Sequence, residues 1–241
     1  MQQAIEDLLR NPAVWRVGQV PHNAHGSIPT AYPALDQILP ERGWPLGALT
    51  ELLVTETGAG ELSLLTPALQ AVCAKAQGVV LAGPPFLPHA RAWEAVGIEL
   101  DRMLVIDADG ADLLWSAEQA LRSGECGAAV LWAQRAGKTL DHRALQRLHL
   151  AASKGNAACL LFRPASAQST PSPAPLRVTL KAHAGQLQVQ VIKCRGALRV
   201  TPGTVDVFPP HWSERYEPAP AADPLETTAL RLIARARTFL A

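Results

Sequence analysis

Residues 48–74 read ALTELLVTETGAGELSLLTPALQAVCA, and the fold is decided there. Ala48–Val54 is an apolar run of strand length. Thr55–Glu61 is a turn punctuated by Gly58 and Gly60. Leu62, Leu65, Leu69, Val72, Cys73 and Ala76 then recur at helical spacing. A strand, a glycine-containing turn and a helix in that order make one half of a βαβ unit.

The same rhythm continues downstream. Gly78–Ala82 is a short buried strand, Pro88–Val96 a helix with Trp93, and Met103–Ile106 a strand. Asp109–Arg122 is a helix carrying Leu113, Leu114, Ala117 and Leu121. Gly127–Ala133 is an apolar strand without alternation, as expected when both faces are covered. Thr139–Ser153 is amphipathic, with Leu145, Leu148 and Ala152 inside, and Ala157–Phe162 is a further buried strand. Strand and helix alternate about every 25 residues, which predicts an α/β fold with a doubly wound, mostly parallel sheet. Ala165–Pro175 (ASAQSTPSPAP) holds no packing residues and is expected to be a mobile loop. Leu176–Leu180 and Gln186–Ile192 alternate polar and apolar residues and are expected as antiparallel edge strands.

A strand–turn–helix of this kind is where phosphates are usually cradled, because backbone N–H groups and the helix N-terminus supply positive potential. The full motif, GxxxxGK[ST], adds a Lys for the β/γ-phosphates and a hydroxyl for Mg²⁺. Here Thr55 takes the place of the first Gly, Gly60 is retained, Glu61 replaces the Lys and Leu62 replaces the hydroxyl residue. Exchanging a cation for an anion beside a triphosphate removes one attraction and adds one repulsion. Each is worth a few kcal/mol at about 4 Å and intermediate dielectric. Pro67 also removes a backbone donor inside the helix. The acidic residue that orients Mg²⁺ in phosphate-loop enzymes ends a buried strand, and Trp132 stands at that point of Ala128–Trp132. The degenerate turn (Thr55, Gly60, Glu61, Leu62, Trp132) therefore argues against nucleotide hydrolysis, and no catalytic residue, cofactor or metal is expected.

Two decoys are weaker. Gly137-Lys138-Thr139 also opens a helix, but the first glycine of the motif would be Trp132, and Thr139 is better read as an N-cap. Asp107, Asp109 and Asp112 fit a polar loop and helix first turn better than a metal cluster.

The chain ends carry the candidate docking elements. Residues 2–10 (QQAIEDLLR) form a short helix with Ile5, Leu8 and Leu9 on one face. Asn11-Pro12 breaks it, and a Gly/Pro/His stretch follows to about residue 29. Ile28–Leu39 is a turn into a short helix with Leu35, Ile38 and Leu39 inward, and Glu41–Gly47 is a turn. Pro-rich spacing around residues 209–224 leads to a last helix, Pro224–Ala241. Leu225, Ala229, Leu232, Ile233, Ala236 and Leu240 form its apolar stripe, flanked by Arg231, Arg235 and Arg237. Asp223-Pro224 supplies its cap. A tethered helix of this type suits helix-in-groove docking to another chain; the alternative is packing on its own core. Three segments result: 1–45, an N-terminal helix and linker; 46–208, the α/β core; 209–241, linker and amphipathic helix.

Composition narrows the function classes. Of 241 residues, 48% are hydrophobic and 18% charged, which excludes global disorder. The net charge of +1 provides no whole-molecule field toward nucleic acid or membrane. Residues 1–60 carry three basic and six acidic side chains, while residues 171–241 carry nine basic and five acidic. Cys73, Cys126, Cys159 and Cys194 are far apart in apolar contexts and are expected as buried thiols. No apolar run reaches the ~18 residues of a membrane span, and Met1–Arg10 has no signal-peptide character, so a cytoplasmic location is expected.

In the order of its elements the chain resembles RecA-type recombinases over about residues 48–200. Ala90–Leu104 (ARAWEAVGIELDRML) matches the stretch after the second core strand, and Ala117–Gly124 (AEQALRSG) matches the helix before the Mg²⁺-site strand. The nearer likeness is to the ImuA family of translesion-synthesis-associated proteins, themselves related to the cell-division inhibitor SulA. Trp44–Glu51 (WPLGALTE), Gly60–Leu69 (GELSLLTPAL), and Leu8-Leu9-Arg10 with Trp15-Arg16 carry that likeness. The resemblance implies a RecA-like core and an SOS-induced accessory factor. Its implied partners are ImuB (an inactive Y-family polymerase relative), RecA and an error-prone replicative-type polymerase. A SulA-type inhibitor of the division GTPase is the alternative, and self-association into a homo-oligomer is a further one. DNA binding is expected to be weak or indirect. Arg135–Lys138 is a very short loop, and Ala165–Pro175 has no Lys, Arg or aromatic residue. Only Arg177, Lys181, Lys193, Arg195 and Arg199 would offer cations on the edge strands.

Overall fold

The computed structural model describes residues 25–56, 58, 60–183, 186–194 and 204–207. Ile5, Leu8 and Leu9, and the stripe from Leu225 to Leu240 with Arg231 and Arg235, lie outside the described residues.

The strands are β1 (Ser27–Ile28), β2 (Trp44–Pro45), β3 (Ala48–Val54), β4 (Gly78–Ala82), β5 (Met103–Ile106), β6 (Cys126–Trp132), β7 (Ala158–Pro164), β8 (Leu176–His183), β9 (Gln186–Cys194) and β10 (Thr204–Val207). The α-helices are α1 (Pro33–Ile38), α2 (Glu61–Ala74), α3 (Ala90–Ala95), α4 (Gly110–Arg122), α5 (Ala133–Ala136) and α6 (His142–Gly155). Strands β1 and β2 form a small antiparallel pair, and the others form an eight-stranded sheet in the order β10-β9-β8-β3-β7-β6-β4-β5. The block from β8 to β5 is parallel, whereas β9 and β10 join it antiparallel. This is the α/β, mostly parallel sheet with antiparallel edge strands that the alternation predicts.

Successive strand residues point to opposite faces, and here both faces are apolar. Leu52, Val79, Leu81, Val130, Leu160 and Phe162 build one core with Leu65, Leu69 and Val72 of α2 and Trp93 of α3. Ile28, Leu35 and Trp44 join that core, so residues 27–45 pack on the sheet. Leu49, Val80, Ala129, Leu131, Cys159 and Leu161 build the other with Leu114 and Leu121 of α4 and Leu145 and Leu148 of α6. The chain travels from β3 through α2 to β4 and β5, then reverses through α4 and α6 to β6, β7 and β8. The connections leaving the neighbouring strands β3 and β7 therefore go to opposite faces. In parallel α/β sheets such a switch point is where ligands usually bind.

Several boundaries differ from the sequence reading. Helix α6 begins at His142, and its N-cap is Asp141, whose carboxylate accepts from Ala144 N–H at 2.8 Å. Thr139 is not the cap: its hydroxyl bonds the Ala136 carbonyl within a 3-10 turn, Gly137–Thr139. Ala76 is exposed and has φ 60°, beyond the end of α2, so the helical stripe stops short of it. Pro67 lies inside α2 and has no N–H to give the Ser63 carbonyl one turn back. The Tyr32 hydroxyl donates to that carbonyl at 3.4 Å, which supplies the donor that the proline lacks.

The largest correction concerns residues 165–175. Parallel strands are usually joined by a helical crossover, but β7 and β8 are joined by this segment, which contains only a 3-10 turn, Ala165–Ser169. It is neither loose nor unpacked: Ala167 and Ala174 are buried. The register explains its path. Pro164 pairs with Val54, whereas Leu176 pairs with Thr50, so the segment runs back along β3. A non-helical segment leaves backbone carbonyls in need of donors, and the donors come from a buried side chain described below.

Three of the four cysteines, Cys73, Cys126 and Cys159, are buried thiols, while Cys194 is half-buried. Burial pushes the Cys126 thiol up to about 12, and burial also raises Cys159 and Cys73. The thiolate is the reactive species. Alkylation of the native chain at pH 8, followed by peptide mass mapping, is expected to label Cys194 first. Cys126 and Cys159 should remain unlabelled until denaturant is added. Early labelling of Cys159 would contradict the packing of β7.

Candidate functional site

The turn read above as a degenerate phosphate loop lies between β3 and α2, at the carboxyl end of β3. Gly58 and Gly60 both take left-handed backbone (φ 88° and 91°), which glycine adopts without a Cβ penalty. Gly60 is the N-cap of α2 and has no side chain to offer as a cap. Glu61, the first residue of the helix, folds its carboxylate back into the turn. Its Oε1 accepts the Gly58 N–H at 2.9 Å. A backbone amide and a helix N-terminus that suit an oxyanion thus already face one belonging to the chain. Glu61 is 5% exposed, and its Oε2 is buried without a hydrogen-bond partner among the described residues.

A cleft opens beside Glu61 at the switch point. Val54, Trp132, Phe162 and Pro164 supply apolar walls, and Gln134 and Arg163 supply polar ones. Trp132 and Phe162 pack with ring centroids 5.5 Å apart at 35°, closing the side toward β6 and β7. Leu62, at the position of the Mg²⁺-binding hydroxyl, is instead partly buried against the core. The structure therefore brings Glu61 and Trp132 to one cleft, with Gly60 at the helix cap. Thr55 is exposed at the end of β3, its N–H bonding the Leu180 carbonyl at 3.4 Å.

The sequence reading missed a second polar centre next to the cleft. Glu51, in the middle of β3, is fully buried. Its Oε1 accepts Arg163 Nη1 at 2.9 Å and the Ser172 hydroxyl at 2.7 Å, and its Oε2 accepts Arg177 Nε at 2.7 Å. Arg177 then donates through Nη2 to the Ala167 carbonyl at 2.7 Å and through Nη1 to the Gln168 carbonyl at 3.1 Å. These are the donors that the non-helical crossover requires. Buried charges persist only when paired and hydrogen-bonded, and each oxygen of Glu51 is so engaged. The available signal was the single charge in ALTELLV, an otherwise uncharged strand between two others, which must have a buried cation as partner.

Arg177 is thereby removed from the edge-strand cations considered for a phosphate backbone, because it is buried. Lys193 donates to the Ser172 carbonyl at 2.7 Å, Lys181 is exposed, and Arg195 and Arg199 lie outside the described residues. Arg135, in the other loop considered, is held by Asp109 at 2.6 and 2.9 Å and by Asp107 at 2.8 Å. The Arg135 guanidinium holds the Asp109 carboxyl below the usual carboxylate range. Asp107 and Asp109 thus form a clasp between the loop after β5 and α5. No group of three His, Cys, Asp or Glu side chains placed to hold a metal ion occurs among the described residues. No helix among the described residues is long and apolar enough to cross a membrane.

In comparisons with known proteins, no family model matches the chain and no curated protein matches it.

Proposed function

We propose that the chain is a non-catalytic accessory protein of SOS-induced mutagenic translesion DNA synthesis. On this reading a RecA-like scaffold with a dead nucleotide site binds other proteins: an ImuB-like inactive polymerase relative, RecA and an error-prone replicative-type polymerase. The observation that carries the non-catalytic part is the Glu61 carboxylate, turned into its own phosphate turn and bonded to Gly58 N–H. A second anion there meets repulsion of a few kcal/mol at intermediate dielectric, and Trp132 and Phe162 take up the adjoining space. The mostly parallel sheet, with β3 flanked by β7 and β8, is compatible with a RecA-like core. The assignment to DNA-damage tolerance rests on the sequence likeness in Trp44–Glu51 and Gly60–Leu69.

The test is affinity capture by the full chain of four purified candidates: the ImuB-like protein, RecA, the polymerase and the division GTPase. Capture of the ImuB-like protein is the expected result. Capture of the division GTPase alone would replace this reading by a SulA-type inhibitor, and capture of none would refute it. Deleting residues 225–241 is expected to abolish one partner contact while the melting temperature changes little. A large fall in melting temperature would show that the C-terminal segment serves the chain's own core.

A further inference from the structure

Strand direction fixes where the chain leaves the sheet. Strand β8 is parallel to β3, β9 is antiparallel to β8, and β10 is antiparallel to β9. Strand β10 therefore runs with β3, and Val207 leaves at the same carboxyl end as the turns after β3, β4 and β5. Residues 208–241 start from that rim. On it, Phe86 and Leu87, in the turn after β4, are each 76% exposed. Pro84, Pro85 and Pro88 bracket the pair and restrict its backbone. Adjacent apolar side chains held out in water mark a binding surface, as single ones do not. The surroundings are acidic. Gly83 N–H donates to the Ile106 carbonyl at 2.9 Å, which sets this turn beside Asp107 and Asp109. A Cβ at Gly83 would stand 2.8 Å from Leu113, whose neighbour Asp112 is exposed. Three carboxylates there face two cations: Arg135, already bonded to Asp107 and Asp109, and the exposed Lys138. Trp115, one turn on from Asp112 along α4, is 53% exposed.

We infer that residues 225–241 dock on this rim of their own chain, with the apolar stripe on Phe86, Leu87 and Trp115 and the arginines beside the three carboxylates. Tether, reach and pattern select this occupant. The segment is tied to the end of the sheet where the rim lies. From β10 to β4 is six strand spacings, about 29 Å, and residues 208–224 span up to about 55 Å when extended. Leu232, Ile233 and Leu240 offer the apolar groups, while Arg231, Arg235 and Arg237 bring the charge that the rim lacks. Glu226 is the only acid in the segment. A tether makes even a weak contact effective, because the second site meets a high local concentration. The inference goes beyond the accessory-protein reading: a partner that takes up this segment must first displace it from the rim.

The experiment is hydrogen exchange, read by mass spectrometry, on the full chain and on the full chain carrying Phe86→Ser and Leu87→Ser. Both side chains are exposed, so an unchanged melting temperature is the control for folding. Residues 225–241 are expected to be protected in the unaltered chain and to exchange at least about tenfold faster in the double variant, with β3 and β6 unchanged. A second variant, Ile233→Asp, should speed exchange at the Phe86 and Leu87 amides, and this arm leaves the rim intact. Protection should survive about a hundredfold dilution, as a contact within one chain requires. Protection lost on dilution would assign the segment to a second copy and overturn the contact within the chain. Absence of protection in the unaltered chain, or protection that the double variant leaves in place, would also overturn it. If protection is absent while the chain still captures its partners, this inference falls and the accessory-protein reading stands; protection without capture does the reverse.

Discussion

Glu51→Ala is expected to lower the free energy of unfolding by about 3–5 kcal/mol, because it strips the shared anion from buried cations. Arg177 and Arg163 both bond to Glu51, which is fully buried on β3. Removing one partner of a buried ion pair leaves an uncompensated charge, and here it leaves two. The damage should also be local. Arg177 is the donor for the carbonyls of Ala167 and Gln168, so the crossover over β3 loses its anchor along with its charge balance. Urea unfolding would show a lower midpoint, and hydrogen exchange would show faster exchange in residues 165–175. A loss under about 1 kcal/mol would mean that water or a rearranged carboxylate replaces Glu51 without difficulty, contrary to its burial.

Gly155→Ala is expected to destabilise by about 3 kcal/mol, the upper part of the range for overpacking. In an exposed helix this change usually stabilises by roughly 0.5–1 kcal/mol, so the sign itself is diagnostic. Gly155 closes α6 against the end of α4. A Cβ there would stand 1.8 Å from the backbone oxygen of Leu121. That neighbour is backbone and cannot swing aside, so the two helices must separate. Ala117, Leu121, Leu148 and Ala152 share the core cluster that such a shift would open. A lowered melting temperature with unchanged helix content in the folded state is the expected result. An unchanged or raised melting temperature would show that α4 and α6 do not approach this closely.

Both residues mark the limits of reading this sequence. The alternation of apolar strands and amphipathic helices was legible because each pattern follows from which faces must be covered. Ala48–Val54, Gly78–Ala82 and Met103–Ile106 were located to the residue. That an acidic residue, Glu61, stands where a phosphate loop would carry its lysine was equally plain, since it depends on register alone. What Glu61 does with its carboxylate was not: the bond to Gly58 N–H depends on two left-handed glycines and a three-dimensional turn. The Glu51–Arg163–Arg177 centre joins residues more than 100 positions apart, and local periodicity is blind to such pairs. The segment 165–175 looked loose because its own residues lack packing groups. Its order comes from Arg177, and from Ser172 reaching Glu51. Thr139 and Asp141 are both capping residue types two positions apart, so sequence alone does not separate them, and the fold places Asp141 at the cap of α6.

The turn after β3 already contains its own anion, the Glu61 carboxylate, and on the proposed reading it therefore holds no triphosphate. Calorimetric titration of the full chain with ATP and Mg²⁺ tests this directly. No saturable heat of binding is expected, and no phosphate release on prolonged incubation. Micromolar affinity, or turnover by the purified chain, would contradict it.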